Sequence, residues 1–287
     1  MKCVLAFALF ASMLACVPAS EKRQPAGAAG FFTEPSAGAR GEPFTTEDGW
    51  TVRFEKVVLQ AFVSACHATE GGGSGYDGTG EYYLWNAEQR EEIFVRALNV
   101  GPCGVNAALT GTFIGRNHDE HFDEVVNIDV SDEDATRFQH VSDDNAHNRN
   151  GYGSSSPQLL VVVRAEKAGR VVTFDIAFGS FVFVARGVRA SVIVRADALT
   201  TVPLGVDPER LLTDQHDGSR LRFDPIANAD SDGDGRVTVA ELAAAPAIPG
   251  TDENTDGGRT DDRLGSLDRA GLLATLARRA GMVLVSR

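Results

Sequence analysis

Basic charge is scarce in this 287-residue chain: 27 Lys and Arg stand against 40 Asp and Glu, a formal net charge of −13. Lys2 is the one charged residue among the first fifteen, so without that segment −13 becomes −14. A chain this acidic repels phosphate backbones, and no basic patch with interleaved aromatics offsets the repulsion, which excludes nucleic acid as a partner. Long apolar runs are also missing. The one at the N-terminus, Val4 to Ala15, is too short for a permanent transmembrane helix. Signatures of catalysis are absent as well: there is no G-x-S-x-G elbow, no P-loop, no H-E-x-x-H, and no dinucleotide glycine fingerprint between strand and helix. Gly71 to Gly75 is glycine-rich but opens no helix, so it reads as a flexible loop. The balance therefore tilts away from an enzyme.

Lys2 followed by the apolar Val4–Ala15 run has the form of a secretory signal, residues 1–15. The run ends Met13-Leu14-Ala15-Cys16, which resembles the lipobox of bacterial lipoproteins. The resemblance implies lipidation of Cys16, export, and a membrane anchor through the acyl chains. Val17 in place of Asp after the cysteine implies the outer membrane. An ordinary signal peptide cut near Pro18-Ala19-Ser20 is the alternative. From residue 16 to 43 the chain is rich in Ala, Gly and Pro, with Phe31 and Phe32 as its bulky residues, and it reads as a flexible tether.

The twelve residues Asp230 to Glu241 read D-S-D-G-D-G-R-V-T-V-A-E. A hard divalent cation takes six to eight oxygens, and a loop that wraps it supplies them from positions 1, 3, 5, 7, 9 and 12, with glycine at 6 for the bend. Those slots hold Asp230, Asp232, Asp234, the carbonyl of Arg236, Thr238 and Glu241, with Gly235 at the bend and apolar Val237 at 8. This loop resembles the EF-hand family, which implies calcium as the ion. The plain alternative is an acidic Asp/Gly surface turn. Four carboxylates crowded into twelve residues argue against it, because they repel unless a cation sits among them. A short helix follows, from Glu241 to Ala245, and Pro246 stops it. A second, degraded copy begins at Asp252, with Asn254, Asp256 and Gly257 in register. Its twelfth position is Arg263, which cannot ligate a cation, so it is at most a weak second calcium site.

Between these ends the pattern is strand-like. Trp50, Val52 and Phe54 alternate with polar residues, and Val57 to Val63 is almost wholly apolar. Glu91–Val100 and Val105–Ile114 follow, separated by Gly101 to Gly104. A hairpin joins Gln158–Arg164 to Val171–Phe178 through a turn at Glu166 to Gly169, and Phe181–Val184 and Ser191–Arg195 add two more strands. This predicts a mainly β domain over residues 44–206, an antiparallel sandwich or small barrel. Residues 207–287 read as a calcium-binding helical appendage. Pro208 starts a helix after Asp207, and Leu264, Leu267, Leu272, Leu273 and Leu276 form a stripe with Arg269, Arg278 and Arg279 off it.

Two further groups carry possible chemistry. Cys66 and Cys103 are the cysteines left once Cys3 goes with the signal and Cys16 takes lipid; in an oxidising compartment an even pair reads as a disulfide, the alternative being a reactive thiol. His118 and His121 lie in a long polar stretch, 116–156, that also holds His140 and His147. They offer one close pair where a zinc or copper site wants three or four ligands, so a solvated loop is the competing reading. Loops of that length are uncommon without a role, which makes 116–156 a candidate surface for a protein or small-molecule ligand. The sequence thus favours an exported, lipid-anchored, calcium-binding protein with a binding or structural role. The alternative is a zinc- or copper-binding protein, or a metal-dependent hydrolase, built on His118 and His121.

Overall fold

A computed structural model describes residues 26–65, 80–109, 126–144, 158–178, 188–213, 221–246, 271–280 and 283–286. It is mainly β and sandwich-like, without a closed barrel, as the strand pattern predicts. Its strands are β1 (Ala26–Pro35), β2 (Phe44–Thr45), β3 (Thr51–Ala65), β4 (Gly80–Asn86), β5 (Glu92–Asn99), β6 (Gly101–Leu109) and β7 (Val126–Ile128). They continue with β8 (Leu159–Lys167), β9 (Arg170–Phe178), β10 (Val188–Val194), β11 (Leu199–Val206), β12 (Arg236–Val237) and β13 (Leu284–Ser286). The helices are α1 (Asp132–Asp144), α2 (Asp224–Ala227), α3 (Val239–Ala244) and α4 (Gly271–Ala280), with a 3-10 helix at Pro208–Leu212.

Strand β3 is the hub of the larger sheet because it is long and changes phase midway. A register shift between Phe54 and Lys56 lets Val52 and Phe54, then Val57, Leu59, Ala61 and Val63, all face the same core. Along one edge β3 bonds β8 and then β6; along the other it bonds β2 and then β4. The β8–β9 hairpin forms where the alternation predicts it. Ala168 and Gly169 both have positive φ at its two-residue turn, and Val172, Phe174, Ile176 and Phe178 are buried together. Among the described residues the larger sheet runs β10-β6-β3-β8-β9-β12, and the smaller runs β13-β11-β1-β5. Side chains of both share one core, including Phe31, Phe94 and Leu204 from the smaller sheet and Leu59, Phe174 and Val161 from the larger.

The structure departs from the sequence pattern in several places. Ala26–Pro35 is not part of a tether: β1 lies between β11 and β5, with Ala29 and Phe31 fully buried. Its small residues are there for close approach, since a Cβ on Gly27 would run into the Arg195 carbonyl and one on Gly30 into that of Phe94. Pairing is mixed, not purely antiparallel, because β1 with β11, β4 with β7 and β12 with β9 are parallel. Strands β5 and β6, adjacent in sequence, enter different sheets, the chain turning at Gly101 with φ of 143°. The 116–156 stretch is not all loop. Strand β7 and helix α1 lie within it, and Phe138 of α1 packs on Val58, Leu84 and Leu160 on the other face of the larger sheet. At the C-terminal end β13 joins β11, and Leu272 and Leu276 of the leucine stripe enter the shared core from α4. Arg279, expected off the stripe, is buried and donates to the Leu211 carbonyl at 3.2 Å. No helix among the described residues is long and apolar enough to cross a membrane.

Candidate metal centre

The segment leading into the acidic loop is gripped by two hairpins of the larger sheet. In the β2–β3 turn the Asp48 carboxylate accepts the backbone N–H of Phe223 at 2.8 Å and of Asp224 at 2.6 Å, holding the start of α2. Phe223 is fully buried between Trp50, with ring centroids 5.2 Å apart, and Phe174, at 6.3 Å. Trp50 Nε1 donates to Asp224 at 2.7 Å, and Lys167, on the second hairpin, does so at 3.0 Å. The Trp50 bond, then the nearby Lys167 charge, hold the Asp224 carboxyl below its usual range despite some desolvation.

Two glycines shape the loop itself, Gly233 at φ 75° and Gly235 at φ 81°. Past them β12 adds to the sheet border in parallel register with β9, and the Thr173 N–H donates to the Gly235 carbonyl at 2.8 Å. Val237 is buried, as its place in the pattern predicts. Thr238 then caps α3: its hydroxyl accepts from Glu241 N at 3.3 Å, while the Glu241 carboxylate accepts from Thr238 N at 2.8 Å, a reciprocal capping box. Helix α3 stops with Ala245 as its C-cap, ahead of Pro246.

The turns bring Asp230, Asp232 and Asp234 together, with one carboxylate oxygen from each within 4.8 Å of the others. Asp232 accepts from Asp234 N at 3.1 Å, and Asp234 from Arg236 N at 2.6 Å, so both side chains are folded back over the loop. Asp230 differs. Its side chain is 1% exposed, its Oδ2 accepts from Arg170 at 2.9 Å, and its Oδ1 is buried without any hydrogen-bond partner. Glu241 reaches across the loop mouth, Oε1 accepting from Ser231 N at 2.9 Å and Oε2 from Thr238 N. Those N–H groups, Thr238 first and then Ser231, pull its carboxyl down to about 2. It remains outside the three-carboxylate group.

A hard cation fits this donor set. All the groups are oxygens, three of them anionic and converging, and an orphaned buried carboxylate oxygen is costly unless something positive meets it. Arg170 was not legible as part of this centre, because it sits at the start of β9, sixty positions before Asp230. The other predicted sites fall elsewhere. Asp252, Asn254, Asp256, His118, His121, Cys16 and Cys66 lie outside the described residues. Cys103 is buried on β6. No protein family, curated protein or solved structure matches the chain.

Proposed function

We propose that this chain is an exported, lipid-anchored β-sandwich-like protein with a binding or structural role, in which calcium held by Asp230–Glu241 clamps the C-terminal region onto the sheets. The observation that carries the metal reading is the buried, partnerless Oδ1 of Asp230 beside two further carboxylates. Asp230, Asp232, Asp234, the Arg236 carbonyl, Thr238 and Glu241 would hold the ion. When bound, it would neutralise the carboxylates and supply the missing partner for Asp230. Calcium suits the site better than magnesium, which demands near-ideal octahedral geometry and keeps its waters. The role is structural in this reading, since the loop is tied to β9 and the following helix α3 packs against α4.

Calorimetric titration of chelator-treated protein tests the proposal. Stoichiometric heat with calcium, lost in Asp230→Asn, supports it; no heat at millimolar calcium sinks it. The anchor is tested by Cys16→Ser, which should release the protein from membranes.

A further inference from the structure

Resting on the calcium reading, we infer that Arg170 sets the calcium affinity of the loop, acting as a tethered cation that shares Asp230 with the ion. Its guanidinium is fixed from three sides. One nitrogen donates to Asp230 Oδ2 at 2.9 Å and to the Ala227 carbonyl at 2.7 Å, and the group lies 5.9 Å from the centre of the Trp50 ring. Asp230 is thereby held with one oxygen bound and the other unpartnered, the arrangement a monodentate ligand needs.

The consequence follows from charge. Without calcium, Arg170 is the one side-chain cation paired with the buried Asp230 carboxylate among the described residues, so removing it leaves that charge uncompensated. With calcium present the ion compensates Asp230 itself, and the loss of Arg170 matters less. A variant that is destabilised more when empty than when loaded must bind its ligand more tightly, because the two couplings are one free energy. Two like-signed centres on opposite oxygens of one carboxylate also repel directly. With the half-exposed Arg170 screened almost as in water, that repulsion weakens binding by roughly tenfold. Arg170 therefore keeps the loop folded when empty at the expense of affinity, and it does so from the sheet, coupling the centre to the β8–β9 hairpin.

The test is calcium titration and thermal unfolding of the full chain as wild type, Arg170→Gln, Arg170→Met and Arg170→Lys. Gln retains a donor for the Ala227 carbonyl and loses the charge; Lys retains the charge. The two neutral variants should bind calcium roughly tenfold more tightly, with a lower midpoint in chelator and a larger calcium-induced rise. The Lys variant should stay near wild type. Neutral variants that unfold in chelator but refold with calcium give the same answer. Unchanged or weaker binding in the neutral variants, or failure to fold even with calcium, overturns the role of Arg170 while wild-type binding leaves the calcium reading standing. A wild type that binds no calcium overturns both.

Discussion

The Glu209 carboxylate accepts the backbone N–H of Gly38 at 2.8 Å, 171 residues earlier in the chain, and its second oxygen accepts the Ser36 hydroxyl at 2.7 Å. This clasp ties the turn after β1 to the 3-10 helix that leads toward the acidic loop. A Cβ at position 38 would push the Glu209 carboxylate out of its place in the clasp. Burial, then a hydrogen bond with Asp207, raises the Glu209 carboxyl to about 7 from an ordinary 4.5. The folded state thus holds a proton that the unfolded state releases over that interval. Stability from this group is full below about 4.5, falls as pH rises to about 7, and is level above. Urea unfolding at about pH 5 and about pH 8 should show wild type losing on the order of 2 kcal/mol more than Glu209→Gln over that range.

Lys56 and Asp134 make a second long-range pair, with Nζ 2.8 and 3.0 Å from the two carboxylate oxygens. Desolvation pushes the Asp134 carboxyl up, but hydrogen bonds from Lys56 and Ser131 outweigh it and the net shift is downward. Lys56→Met should cost about 2 kcal/mol, because it strands a carboxylate that is almost fully buried. Adding Asp134→Leu should recover part of that loss, read as a coupling in chemical denaturation. Strict additivity of the two substitutions would count against the pairing.

Gly30→Ala should destabilise by about 2–3 kcal/mol through collision with the Phe94 carbonyl. Gly104, where an added Cβ meets nothing within 4 Å, is the control, and its substitution by Ala should be near neutral. Equal effects at the two positions would argue against a buried β1.

Calcium at one hundred times its dissociation constant should stabilise the wild type by about 2.7 kcal/mol. Under the calcium proposal Glu241→Gln should remove most of that gain, since the twelfth position of such a loop supplies a bidentate carboxylate and an amide is a poor ligand. A thermal shift that survives both Glu241→Gln and Asp230→Asn would move the ion elsewhere.

Ala65, the residue before Cys66, is in register with Val105, two positions from Cys103. A Cys66–Cys103 bridge should appear as a gain of two alkylation sites on reduction, and Cys103→Ser should cost about 3 kcal/mol. Full alkylation without reductant would exclude it.

What was legible in the sequence and what was not divides by range. The β8–β9 hairpin announces itself because alternation and turn residues act over a few neighbours, and the acidic loop does so because its carboxylates come from one short segment. Strand β1 is hidden because Ala-Gly-Ala-Ala-Gly has the composition of a linker; only the carbonyls of Phe94 and Arg195, far along the chain, require smallness there. Helix α1 carried a local signal that polarity obscured: the Ser131 hydroxyl accepts from Asp134 N at 3.2 Å, a cap followed by acidic residues in the first turn. Arg170, Asp48 and Trp50 had no such signal, because nothing within their own stretches of sequence depends on the loop they serve.

The pairing of β12 with β9 also decides how the larger sheet finishes on that side. A border strand ordinarily offers a row of open amides and carbonyls to any neighbouring molecule. Here the Thr173 amide is already taken by Gly235, the last residue of a charged, tightly turned segment that leads straight into the two-residue strand. Strand addition is hindered over the two residues that β12 covers, so the acidic loop hems that stretch of the border.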